Sequence, residues 1–147
     1  MPKRKPEARE GVVDWLEDYY REPDKKDTDY ECATKTKLKY SGAQAGILED
    51  YNIAFLPKDV TIAGEDGSFQ FNTGSCSFCH KYLKGNKLAP SKENCKKCPI
   101  AREGGWCEAR HSPWNALAVN QDPQPMLDTI DRILEKCTGP RWSYKAT

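Results

Sequence analysis

Residues 76–98 read CSFCHKYLKGNKLAPSKENCKKC, two Cys-x-x-Cys pairs, Cys76 with Cys79 and Cys95 with Cys98, with fifteen residues between them. Each pair brings two soft thiolates to one side of an ion, and the intervening chain is long enough to return, so this is the spacing by which two short loops grip one tetrahedral zinc. The expectation is a structural Zn²⁺ held by Cys76, Cys79, Cys95 and Cys98, with the polypeptide organised around it. The small residues before Cys76 give the backbone room to turn about sulfur. Lys81, Lys96 and Lys97 stand ready to offset the thiolate charge.

More donors are present than four places require. Cys107 follows Cys98 after eight residues and His111 follows Cys107 after three, so either is a candidate substitute in the ligand set. His80, next to Cys79, is expected to face solvent. Cys98-Pro99 is similar to the end of a ferredoxin run, which keeps iron–sulfur as the rival metal reading, but the compact Cys-x-x-Cys-x-x-Cys of those proteins is missing.

Working away from the cysteines, 147 residues suit one domain, read here as 1–147, and are enough to bury a core. That core is expected to be small, because 31% of the chain is charged and there are ten prolines and ten glycines. Seven cysteines form an odd set, five of them between Cys76 and Cys107, unlike the even spread of a secreted disulfide scaffold. The polar start MPKRKPEARE has no export-type apolar core, and no later run approaches membrane-spanning length. These features predict a protein of a reducing cytoplasm that does not enter a membrane.

The formal charge of +1 conceals a separation along the chain. Residues 1–75 carry 11 basic against 15 acidic side chains, while Cys76 to Trp114 carry 8 against 3. Residues 1–10 are expected to form a flexible lead. In 11–73, GVVDWLEDYYRE places Val12, Leu16, Tyr19 and Tyr20 on one face of a helix ending near Pro23. DKKDTDYECATKTKLKY shows no sustained period and is read as an irregular acidic segment. Ser41 with Gln44 fits a capping box opening a short helix over SGAQAGILEDY. Val60, Ile62, Phe69 and Phe71 alternate about GEDG, which predicts a β-hairpin running into the first cysteine pair.

Residues 74–114 are read as the zinc-knuckle, zinc-ribbon-like unit. In 115–147, and just before it, Ser112 and Pro113 supply the N-cap and first residue of a helix carrying WNALAVN. Met126, Ile130, Ile133, Leu134 and Cys137 share a face of a last helix stopped by Gly139-Pro140. Cys137 and Cys32 are expected as small buried hydrophobes. The fold class is thus α+β: an N-terminal helix, a short hairpin, the zinc unit and two C-terminal helices.

The run Cys-x-x-Cys, Cys-x-x-Cys-Pro-Ile, Cys107 and Ser112-Pro113-Trp114 resembles small cysteine-rich proteins of bacteriophage and prophage type, over about residues 74–114. The resemblance implies a zinc-bound, cytoplasmic accessory protein acting inside a host cell, for example an inhibitor of a host defence system.

Catalysis is the minority expectation. An all-cysteine zinc site is closed and electron-rich, so it activates water poorly. There is no His-x-Glu followed by Pro-Cys-x-x-Cys, no His-Glu-x-x-His, no phosphate-binding glycine loop and no Gly-x-Ser-x-Gly. The catalytic version kept open is a metal-dependent nuclease with His80 or His111 as general base. Binding is the leading expectation. Lys81, Lys84, Lys87, Lys92, Lys96, Lys97, Arg102 and Arg110 form the candidate nucleic-acid surface, with Tyr82, Trp106 and Trp114 as stacking planes. The competing partner is a host protein, docked by the acidic, aromatic N-terminal part through Trp15, Asp18 and Tyr19.

Overall fold

The computed structural model describes residues 9–24, 26–56, 60–72, 75–84 and 87–145. Apart from Arg9 and Glu10, the expected flexible lead lies outside the described residues. The elements in chain order are α1 (Gly11–Tyr19), α2 (Asp29–Ser41), α3 (Ala45–Asp50), β1 (Ala54–Phe55), β2 (Thr61–Gly64) and β3 (Gly67–Gln70). They continue with α4 (Ser77–Tyr82), α5 (Pro99–Glu103), α6 (Pro113–Asn120), α7 (Gln124–Glu135), β4 (Cys137–Thr138) and β5 (Ser143–Tyr144). The fold is α+β, a small single domain in which helices pack on an antiparallel sheet of order β1-β2-β3.

The apolar periodicities give the elements they predict. In the hairpin, Ile62 lies opposite Phe69 and Gly64 opposite Gly67, leaving Glu65 and Asp66 as the turn. Gly67 sits at φ 142°, a conformation open to glycine at little cost. Asp66 has a second task. Its carboxylate accepts the backbone N–H groups of Val12 at 2.8 Å and Val13 at 3.0 Å, capping α1 where Glu10 supplies no side-chain cap. Those bonds hold the Asp66 carboxyl below its ordinary pKa.

Helix α1 buries Val12 and Trp15, while Leu16, Tyr19 and Tyr20 are half-buried. Trp15 has no exposed surface and donates its indole N–H to the Gly42 carbonyl at 2.9 Å. At Gly42 an added Cβ would stand 2.6 Å from the Tyr19 ring, so only glycine admits this approach. Trp15 is therefore a core residue, not the surface docking group that the sequence suggested.

The segment read as irregular is corrected to helix, and it is the central one. α2 packs against α1, α4, α7 and β5. Thr28 and Glu31 form a reciprocal capping box at its start. Its apolar period is weak because the buried face carries Asp29, Thr36 and Lys39 beside Cys32, Ala33 and Tyr40. Thr36 returns its hydroxyl to the Cys32 carbonyl at 2.8 Å. Ser41 closes α2, and the cap of the next helix falls to Gln44, without a side-chain bond.

The C-terminal helices follow expectation. Ser112 caps α6 by accepting the Asn115 N–H at 3.1 Å, with Pro113 first in the helix. α7 buries Met126, Ile130 and Ile133. Beyond it Cys137, expected on the helix, lies in β4, which pairs with β5. Two carboxylates, Asp29 buried and Glu103 half-buried, fasten this end of the chain. Asp29 accepts Lys81 Nζ at 2.9 Å, Tyr82 OH at 2.6 Å and the Tyr144 N–H at 2.8 Å. Glu103 accepts Lys136 Nζ at 2.8 Å and the Tyr144 hydroxyl.

Burial raises the Asp29 pKa, but the bonds from Tyr82, Lys81 and Tyr144 outweigh it, leaving the carboxyl below its ordinary value. Folding therefore favours the ionised form. Its stabilisation is complete above the unfolded-state pKa of about 4 and is lost as pH falls through the lower folded value. Urea unfolding of Asp29→Asn should show a loss of about 2 kcal/mol at neutral pH. The deficit should shrink below about pH 4, where the unfolded chain takes up its proton first, and should vanish once the folded carboxylate is protonated too.

Candidate metal centre

The first cysteine pair is placed by the end of the hairpin. Ser75 N–H bonds the Asn72 side chain at 3.1 Å, and Ser75 Oγ donates to the Gln70 carbonyl at the same distance. Cys76 then caps α4, its sulfur accepting the Cys79 N–H at 3.4 Å. Phe78 anchors that short helix with no exposed surface. The second pair rests on a turn in which Cys95 N–H meets the Ser91 carbonyl at 2.9 Å. Cys98 caps α5, with Pro99 as its first residue. Thus both pairs lead into helices, which the knuckle expectation did not contain.

All five cysteines between 76 and 107 line one small cavity of about 10 Å³, walled also by Phe78, Leu83 and Trp106. Cys79 lies near enough to Cys107 and Cys76 for their side chains to act on its ionisation, and its backbone N–H donates to the Cys76 sulfur at 3.4 Å. Cys95 packs in the same cluster as Cys79 and Leu83. Sequence spacing had ranked Cys107 as a substitute; the chain brings it directly onto Cys79. Among the described residues, no group of three or more His, Cys, Asp or Glu side chains is placed to hold a metal ion. The donor chemistry nevertheless suits zinc or another thiophilic ion.

The electrostatics of the group are uneven. Hydrogen bonds to Cys107 and Cys76, together with burial, push the Cys79 thiol up. The same bond from Cys79 acts in the opposite sense on Cys76 and, aided by the Lys39 charge, draws it down against burial. Burial raises Cys95 and Cys98. His80 is half-buried and His111 exposed, and neither lines the shared cavity.

Lys39 is the neighbour that sequence reasoning missed. It is 3% exposed, in the middle of the core, and donates to the Ser75 carbonyl at 2.9 Å. Together with Cys76, Cys79 and Cys107 it lines a second cavity of about 150 Å³. Its place in α2 was hidden because that helix was not expected.

The candidate nucleic-acid residues divide. Lys84, Lys87, Lys92, Lys97, Arg102 and Arg110 are exposed. Lys96 is exposed too, paired with Glu93 at 2.6 Å, whereas Lys81 is committed to Asp29. The proposed stacking rings turn inward: Tyr82 bonds Asp29, Trp114 donates to the Phe71 carbonyl at 3.0 Å, and Trp106 packs on the cysteine cluster. Of the candidate docking residues, Asp18 accepts Tyr51 OH at 2.5 Å and pairs with Arg9 at 3.0 Å. Tyr19 is half-buried against Trp15 and Tyr51.

These features define a small α+β protein with a cavity lined by five cysteines and with exposed lysines in the same stretch of chain. No family model, curated protein or solved structure matches the chain. No described helix is long and apolar enough to cross a membrane.

The two cysteines outside the cluster should be inert. Cys32 has no exposed surface, and burial pushes its thiol up to about 12. In the native protein at pH 8, iodoacetamide should modify Cys32 about 10³-fold more slowly than an ordinary thiol, since thiolate is the reacting form. Peptide mapping should show full labelling once the protein is unfolded in guanidinium.

Proposed function

We propose that this protein is a zinc-stabilised binding protein, non-enzymatic, whose metal fastens together the segments around Cys76–Cys79, Cys95–Cys98 and Cys107. The observation that carries the reading is the convergence of five cysteines, from three separate stretches, on one cavity of about 10 Å³. That volume is near the space of a single water-sized body, which favours one ion over an iron–sulfur cluster at this position. Cys76, Cys79 and Cys107 are the first three ligands in this reading, because they line both that cavity and the neighbouring one of about 150 Å³. Cys95 or Cys98 completes the set. Bound there, zinc would supply a cross-link between chain segments, and its binding energy would return to folding stability.

For the partner, the exposed Lys84, Lys87, Lys92 and Lys97, with Arg102 and Arg110, support contact with the phosphates of a nucleic acid. The inward placement of Tyr82 and Trp114 supports backbone contact over base stacking. Burial of Trp15 removes the main anchor from the host-protein docking alternative. A role as an accessory protein in a host cytoplasm rests on the resemblance to phage-type proteins over about residues 74–114.

Elemental analysis of purified protein is expected to find about one zinc per chain, the stoichiometry of a single tetrahedral site. Cys79→Ser should lose both the metal and cooperative thermal unfolding; a stably folded, metal-free Cys79→Ser protein would remove the structural role. In fluorescence anisotropy with DNA, Lys96→Glu combined with Lys97→Glu should leave the zinc content intact. It should lower the salt dependence of binding by about 1 to 2 in log–log slope. Unchanged binding would discard that surface.

A further inference from the structure

Resting on the reading of the clustered cysteines as metal ligands, we propose that Lys39 is the counter-charge of that centre and a determinant of how tightly the metal is kept. Four thiolates on one Zn²⁺ carry an excess negative charge of about two, which is costly to hold among apolar groups unless a cation stands beside it. The sequence offered Lys81, Lys96 and Lys97 for this purpose. Lys81 is engaged by Asp29 and Lys96 by Glu93, both outside the cavity the five cysteines share. Lys39 comes from α2, 36 residues before Ser75 in the chain, and reaches the residue that precedes Cys76.

The ammonium of Lys39 sits among neutral polar groups and aromatic rings. Its ammonium donates to the Ser75 carbonyl at 2.9 Å and lies 3.5 Å from the Ser75 hydroxyl, both neutral groups. The rings of Phe71 and Tyr40 lie 5.5 and 5.6 Å away, giving partial cation–π compensation. Among the described residues no carboxylate forms an ion pair with it. Glu108 lines the same 150 Å³ cavity but is exposed. The anions of this reading are the sulfurs of Cys76, Cys79 and Cys107, which would lose their protons on binding zinc and which share that cavity wall with Lys39. A neighbour that hydrogen-bonds next to a ligand and balances its charge belongs to the outer sphere that tunes metal affinity.

The test compares zinc-loaded wild type with Lys39→Met, Lys39→Gln and Lys39→Arg, reading zinc transfer to a chromophoric chelator. The Met and Gln proteins should release zinc about 10-fold faster or more, while Arg, which keeps the charge, should stay within about threefold of wild type. With Co²⁺ in place of zinc, the thiolate-to-metal absorption band should shift in the two neutral variants and not in Lys39→Arg. Equal release by wild type and a folded Lys39→Gln would overturn the proposal. Unfolding of both neutral variants at saturating zinc would also overturn it, because Lys39 would then serve packing alone. A wild-type protein that takes up neither Zn²⁺ nor Co²⁺ would instead overturn the underlying metal reading, an outcome distinguishable before any variant is made.

Discussion

A charged group taken out of water must be met by partners in fixed places, and helix α2 carries two such groups, Asp29 at its start and Lys39 near its end. Asp29 is met by α4 through Lys81 and Tyr82, and by β5 through Tyr144. Lys39 is met by Ser75, the residue that leads into the cysteines. An apolar helix face can slide or rotate against its neighbours at modest cost. A face with these two groups can dock in one register only, so α2 fixes where α4 lies and hence where Cys76 and Cys79 lie.

The same logic explains what the amino-acid order revealed and what it concealed. Elements that bury carbon were legible: α1, the β2–β3 hairpin and α7 follow from the period of their apolar residues, and α6 from its Ser112–Pro113 start. α2 buries Thr36 and Lys39 where an amphipathic helix carries leucine or valine, so its period fades, and only the Thr28–Glu31 capping box announced it. β1, β4 and β5 are two residues each, too short for any alternation to register. On α1 the apolar stripe was assigned to Val12, Leu16, Tyr19 and Tyr20, and Trp15 to a docking surface. Yet Trp15 lies three positions after Val12, a spacing that puts both on one face, and the pair forms the buried edge of the helix.

At the cysteine centre, spacing identified the chemistry and left the geometry open. Two Cys-x-x-Cys pairs state how many sulfurs are available, but which of them meet is decided by the helices that carry them. Cys76 and Cys98 stand at the caps of α4 and α5, and Cys107 arrives from the turn that Ser112 closes by donating to its carbonyl at 2.6 Å. No local pattern reports that Cys107 will touch Cys79. Likewise, no pattern local to the cysteines reports a lysine delivered from another helix, whereas Lys81 and Lys96, near them in sequence, turn to Asp29 and Glu93.

The contact between Asp29 and Tyr144 spans 115 positions of chain. During synthesis the carboxylate emerges early, yet one of its three partners does not exist until almost the whole described chain has left the ribosome. Until then α2 holds a buried acid with an incomplete set of donors, and the N-terminal half has no means of settling into its final packing. Final docking of α2 therefore waits until Tyr144 has been made, and a nascent chain stalled before it would present an unfinished core to the cell's chaperones and proteases.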